Sequence, residues 1–336
     1  MKGRIALAAL LAAAATLAGI AAAKNPSGSS TGTGTVFFPN PVAQLQDQSL
    51  TDQKDADYAA LQPAYRNVTL TNLDGSGTLT GDWAQIVSET GDPARSSTNT
   101  FTYHRNDDRF EQVMAYYWIT EAQRYIQGLG FGTGKFPPVN KQSQRVRINQ
   151  LGYDNSFATD QPKDELRFGK GGVDDAEDAE VILHEYGHAI HFSQGFAFAS
   201  EEAGAISEGF GDYWAADVTN IVAPTPDPAC VADWDSVSYT STVPHCLRRV
   251  DTNLHYPTDL SGEVHHDGQL WSRALWDIHG ALGHVKADTI ILDAQFDFPG
   301  TTMTDLAQRT VTTAQTLYGN AAAKAVQKAF AARGIL

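Results

Sequence analysis

Two histidines stand four residues apart in His184-Glu185-Tyr186-Gly187-His188, and on a helix that spacing turns both imidazoles to one face. Zinc takes His nitrogen at about 2.0–2.1 Å, and a catalytic site usually gives it three protein ligands and one water. Glu185, one residue past the first histidine, falls beside that water, where a general base is needed. The pentapeptide therefore points to metal-assisted hydrolysis, against the plainer reading of a buried helix with two hydrogen-bonded histidines. Chance alone yields such a pentapeptide in roughly one chain in a hundred of this composition, so its surroundings must decide.

Upstream, Asp174-Asp175-Ala176-Glu177-Asp178-Ala179-Glu180 puts acids where the first turns of a helix and its dipole favour them. Val181, Ile182, Leu183 and Ile190 supply apolar anchoring, which places the pentapeptide on that helix. His191 shares the stripe but lies about 10.5 Å along the axis from His184, at 1.5 Å per residue, too far to share one zinc. The metzincin pattern needs Gly and then His at positions 191 and 194, where this chain has His and Gln. Glu208 lies in Ser207-Glu208-Gly209-Phe210-Gly211-Asp212, leaving room for the first helix to end near Gly195 and a second to return from near Ala203. Glu208 is the expected third ligand, and Asp212, one turn on, can accept the free N–H of a ligating imidazole.

With these residues in place the chain resembles the gluzincin peptidases, of the thermolysin and fungalysin type, over roughly residues 105–336. The resemblance implies peptide-bond hydrolysis with one zinc per chain on His184, His188 and Glu208, with Glu185 as general base and Asp212 behind a ligand. In Gly262-Glu263-Val264-His265-His266-Asp267-Gly268, His265 matches the histidine that stabilises the transition state, oriented by Asp267 or Asp259. Asp154-Asn155-Ser156-Phe157-Ala158 is similar to the edge strand that pairs with substrate backbone, which assigns Asn155 and Ser156 to substrate binding. Leu247-Arg248 is similar to the pair whose guanidinium meets a substrate carbonyl near the primed pocket. The resemblance also implies a two-lobed α+β zincin, with an N-terminal α/β lobe, a helical C-terminal lobe and the zinc helix at the cleft. Ala199 departs from it, standing where thermolysin-type enzymes carry an oxyanion-binding tyrosine. There is no room for a full fungalysin propeptide, and the Gly-Ala-Met-Glu-Asn exopeptidase signature is absent. Calcium (Ca2+) is left open.

Met1-Lys2-Gly3-Arg4, the Ala-rich apolar run Ile5 to Ile20 and Ala21-Ala22-Ala23 read as a secretory signal peptide, residues 1–23. The run is short and weakly apolar for a membrane span of about 20 residues, so export without stable membrane insertion is expected. The net charge of −15 argues against a nucleic-acid partner, because phosphate backbones are repelled; a peptide or protein substrate is expected instead. Cys230 and Cys246 are the only cysteines, and an oxidising compartment favours a disulfide between them over a zinc pair, which needs shorter spacing.

Asn25–Thr35 is a Gly/Ser/Thr stretch without a packable face, and short β-type runs continue to Phe101, so residues 24–104 read as linker and β-rich extension and 105–336 as the peptidase domain. Within the extension, Asn67–Asn72 and Thr78–Val87 are the expected strands. A helix from Asp107 or Asp108 to Gln127, strands at Gln144–Asn149 and Glu165–Phe168, and helices at Gln269–Ala281, Thr304–Tyr318 and Ala321–Ala332 follow from periodicity, with Asn320 as N-cap. Strands before the zinc helix and helices after it put the metal in a cleft between two lobes. Two rivals stay open: an exported zinc-binding module without catalysis, which retention of Glu185 opposes, and a hydrolase of an ester or another amide.

Overall fold

The computed structural model describes residues 30–87 and 90–336, so the expected signal peptide lies outside the described residues. The described residues open with strand β1 (Ser30–Val36), so residues 30–35 of the expected linker are part of a strand. β1 is the middle strand of a three-stranded sheet, followed by a short helix α1 (Pro41–Leu45) and flanked by β2 (Arg66–Leu73). Its glycines are the reason. A Cβ on Gly34 would lie 2.6 Å from Val113 Cγ1, so only a bare backbone lets β1 lie against the helix beneath it. Composition reads such a stretch as flexible, whereas packing uses it for close approach.

β3 (Ala84–Ile86) is all that forms as a strand from Thr78–Val87. β4 (Thr100–Phe101) completes the first sheet in the order β2-β1-β4. Helix α2 (Arg109–Leu129) runs a little past its expected end, because Gly128 stays helical and Gly130, at φ 105°, closes the helix. The second sheet takes β5 (Gln144–Leu151), β6 (Phe157–Thr159) and β7 (Glu165–Gly169) in the order β3-β5-β7-β6. β3, β5 and β7 are parallel, and β6 is the antiparallel edge. β3 therefore ties the segment expected to be an extension into the sheet beside the site, and one apolar core runs from Val36 to Ile335.

Helices α3 (Ala179–Ser193) and α4 (Glu201–Val222) form the antiparallel return expected from the motif spacing. Strands β8 (Cys230–Val231) and β9 (Arg248–Arg249) pair antiparallel, and the Cys230–Cys246 disulfide closes the loop between them. Helix α5 (Val264–Leu282) starts five residues before the expected Gln269, because Glu263 caps it by accepting the N–H groups of His265 and His266. α6 (His284–Ala294), set off by Gly283, was not expected. α7 (Met303–Tyr318) and α8 (Asn320–Ala332) lie close to their expected spans, although Asn320 is the first helical residue of α8 and Gly319 its cap. The molecule is thus α+β, with the two larger sheets N-terminal to α3 and helices dominant after it.

Of the acidic run, only Glu180 sits on the first turn of α3. Asp175–Glu177 form a separate 3-10 turn, and the helix begins at Ala179 with Asp178 as N-cap. Asp174, Asp175, Glu177, Asp178 and Glu180 are all buried. Their oxygens hold other parts of the chain: Glu180 accepts the N–H of Ala232 at 2.7 Å, and Asp178 accepts those of Trp234 and Asp235 at 3.2 and 3.3 Å. Glu177 takes the Arg105 guanidinium at 2.9 Å and the indole N–H of Trp234 at 3.1 Å. The run fastens the disulfide loop to the start of α3, which helix-dipole reasoning does not foresee.

Candidate active site

α3 presents His184 and His188 one turn apart, their rings 4.9 Å between centroids and nearly perpendicular. α4 brings Glu208 against them, its carboxylate 3.1 Å from Nε2 of His184 and 3.6 Å from Nε2 of His188. One donor atom from each of the three lies within 4.8 Å of the others. Oε2 of Glu208 is buried and accepts no hydrogen bond. A buried carboxylate oxygen without a donor, facing two imidazole nitrogens, fits a cation such as zinc at their centre.

Both imidazoles are fixed from behind, which turns Nε2 inward. Nδ1 of His184 meets Asp212 at 2.8 Å, and Nδ1 of His188 meets Ser207 Oγ at 2.8 Å. Asp212 is in turn clamped by Arg248, whose Nε and Nη2 each donate at 2.7 Å. Ser207 also touches Nδ1 of His191 at 2.9 Å, and the His191 ring is stacked between Phe196 and Phe210 at 4.1 and 4.6 Å. His191 is therefore a buried neighbour of the site and stands outside the ligand cluster.

The electrostatics favour positive charge at the centre. Burial opposes charge on His184, yet Asp212 and Glu208 raise it to about 10. Burial lowers His188 to about 4. Burial would raise Glu208, but His188 and then His184 hold it below its usual range. Asp212 is likewise brought down to about 2 against burial, by Arg248 and His184. For Glu185 burial dominates and raises the carboxyl to about 7, and its Oε2 accepts no hydrogen bond.

His184, Glu185, His188 and Glu208 line a cavity of about 450 Å³. Of the expected site residues, Asn155, Ser156, Glu185, Arg248 and His265 share its walls with the three candidate ligands. Asn155 and Ser156 just precede edge strand β6, and Ser156 donates to Asp175. His265, on the first turn of α5, lies 3.4 Å from Glu208 through Nε2. Its Nδ1 is held by Glu263 at 2.6 Å, so neither Asp267 nor Asp259 orients it. Asp267 serves Ser261, Gly262 and His266, and Asp259 serves His255. Arg248 reaches the cavity with its guanidinium already on Asp212. Ala199 is not among the lining residues; Phe198 lines the rim, and the hydroxyl of Tyr239 in the wall is given to Asp154.

Sequence reasoning missed Ser207, Glu263, Asp175 and Asp235. Helical spacing relates residues on one helix only, and Ser207 reaches His188 across the α3–α4 interface. Glu263 is two residues before His265 as helix cap, a signal that an earlier α5 start would have exposed.

A family model described as Fungalysin metallopeptidase matches residues 67–287. Among solved structures, the precursor of protealysin, a metalloproteinase from Serratia proteamaculans, is similar in fold at a TM-score of 0.51. The two are 18% identical, with 66% of this chain and 78% of that chain covered. No curated protein sequence matches the chain.

Proposed function

This chain belongs to the fungalysin metallopeptidase family and is a zinc metallopeptidase, and we propose that His184, His188 and Glu208 hold its single zinc while Glu185 acts as general base in cleaving peptide bonds. The observation that carries this reading is convergence. Three donor atoms lie within 4.8 Å of one another, and Glu185 lines the same cavity with one carboxylate oxygen unused. Zinc, when bound there, lowers the pKa of water to about 7 and polarises a carbonyl. Glu185 takes a proton from the attacking water as the C–O bond forms. It passes that proton to the amine nitrogen as the C–N bond breaks, leaving a carboxylic acid and an amine. Burial raises the Glu185 carboxyl above its ordinary range, the direction that suits a base which must also return its proton.

His265 donates from Nε2 to the carbonyl oxygen as it gains charge, with its Nδ1–H on Glu263. Asn155 and Ser156, beside the open edge of β6, meet the substrate backbone, as edge strands do. Arg248 holds Asp212 and so the ring plane of His184. Export of the protein is supported by the signal pattern at its start and by the disulfide.

Hydrolysis of unfolded casein by the purified protein tests the reading. Activity is expected to disappear with a zinc chelator and return with zinc. Glu185→Gln is expected to keep zinc and fold while losing about 10²–10⁴ in rate. A variant within a few-fold of the parent would remove Glu185 from the chemistry.

A further inference from the structure

One wall of the cavity is acidic in a way the hydrolytic step does not use. Asp175 and Asp235 line it and are only 2% and 3% exposed. With Asp154 they bring one carboxylate oxygen each within 4.8 Å of one another. Two hydroxyls steady the group: Tyr239 donates to Asp154, and Ser156 to Oδ2 of Asp175. Oδ1 of Asp175 and Oδ1 of Asp235 accept nothing. Arg248, which shares the cavity wall, is occupied bidentately by Asp212. Burial, with Asp154 adding to it, pushes Asp175 up to about 7.

Two buried carboxylate oxygens without donors, on side chains that line the cavity of the reaction, are costly unless a partner arrives. The partner that satisfies them is a cation with several N–H donors. Val181 and Leu247 line the same cavity and offer apolar surface to a long aliphatic stem. We infer that Asp175, Asp235 and Asp154 form a subsite for the side chain of a substrate lysine or arginine, so that cleavage is directed to bonds flanked by a basic residue. The charge-assisted hydrogen bonds of an ammonium or guanidinium supply the missing donors. The inference rests on the peptidase reading and specifies its substrate class.

The test uses the zinc-loaded protein and peptides of one sequence that carry Lys, Arg, Leu or Glu at each of the two positions flanking the scissile bond. At one of them kcat/KM is expected to be at least about tenfold higher for Lys or Arg than for Leu, with Glu lowest. Asp235→Asn and Asp175→Asn should each bring the Lys-to-Leu ratio close to unity. Should either variant fail to fold, the parent alone still decides: Leu equal to or better than Lys and Arg at both positions overturns the subsite. Equilibrium binding of the same peptides to Glu185→Gln, read by fluorescence anisotropy, separates subsite from chemistry. Basic peptides binding about tenfold tighter support the subsite even if the parent cleaves nothing, a result that would count against the peptidase reading instead. Equal binding overturns it. So does a melting temperature that millimolar calcium raises in the parent but not in Asp235→Asn, with no preference for basic peptides, because the three acids would then be a metal site.

Discussion

Asp212 has two partners and one consequence. Arg248 keeps it ionised and His184 gives it an Nδ1 contact, so the imidazole is held with Nε2 facing Glu208. Loss of such a supporting carboxylate typically costs about 10–100-fold in metal affinity. Asp212→Asn is therefore expected to weaken zinc binding by that factor in a competition titration with a fluorescent chelator, with the fold retained. Asp297→Asn, outside the cavity, should leave the affinity unchanged. An Asp212 variant with parental affinity would make the contact incidental. At this scale the ligand candidates were legible, because His184, His188 and Glu208 need only helical spacing and one antiparallel return to meet. Their supports were legible in part. Asp212 lies one turn from Glu208 on the same helix, whereas Ser207 reaches His188 between helices and Arg248 arrives from strand β9, distant in the chain.

Helices α3, α4 and α5 approach more closely than side chains allow, and glycines at the contacts permit it. A Cβ on Gly211 would lie 2.8 Å from Nδ1 of His184, and one on Gly187 would lie 2.9 Å from Cα of Gly211. A Cβ on Gly209 would collide with the carbonyl oxygen of Gly268 on α5. Gly209→Ala must move α4 and α5 apart, a cost of about 1–3 kcal/mol, and the melting temperature should fall by several degrees. Gly280→Ala, on α5 with nothing within 4 Å of its Cβ, should be neutral or slightly stabilising in the same melt. Equal melting temperatures would mean that the helices can part without cost. Elements with strong periodicity, such as α2 and α7, were legible along nearly their full length. β1 was hidden because its Gly and Thr residues carry no apolar alternation, and the start of α5 because its cap is a Glu while apolar spacing begins only at Leu270.

Across the whole molecule the acids divide into two groups with opposite effects on stability. Burial, then neighbouring carboxylates, raises Asp174 to about 6 and Asp175 and Asp233 to about 7. A raised carboxyl binds its proton more tightly folded than unfolded, so its contribution is present below about pH 4 and is lost as pH rises towards 7. Asp212 and Glu165, both brought down to about 2, contribute above about pH 4 and lose that as pH falls towards 2. Asp233→Asn, which mimics the protonated form, should thus melt higher relative to the parent at pH 8 than at pH 5. A difference that does not change with pH would show Asp233 to be ionised throughout. None of this was legible in the sequence, where the run of acids read as the first turns of a helix favoured by its dipole; only the packing of residues 230–235 onto the start of α3 makes them interior. Three acid clusters among the described residues, Asp154 with Asp175 and Asp235, Asp108 with Glu111 and Asp174, and Asp178 with Glu180 and Asp233, are the sharpest rival sites for a metal. Anomalous diffraction collected on either side of the zinc absorption edge from a crystal of the purified protein decides between them. One strong zinc peak is expected, between Nε2 of His184, Nε2 of His188 and the Glu208 carboxylate. A strong zinc peak at one of the acid clusters, with none between those three residues, would contradict this ligand assignment.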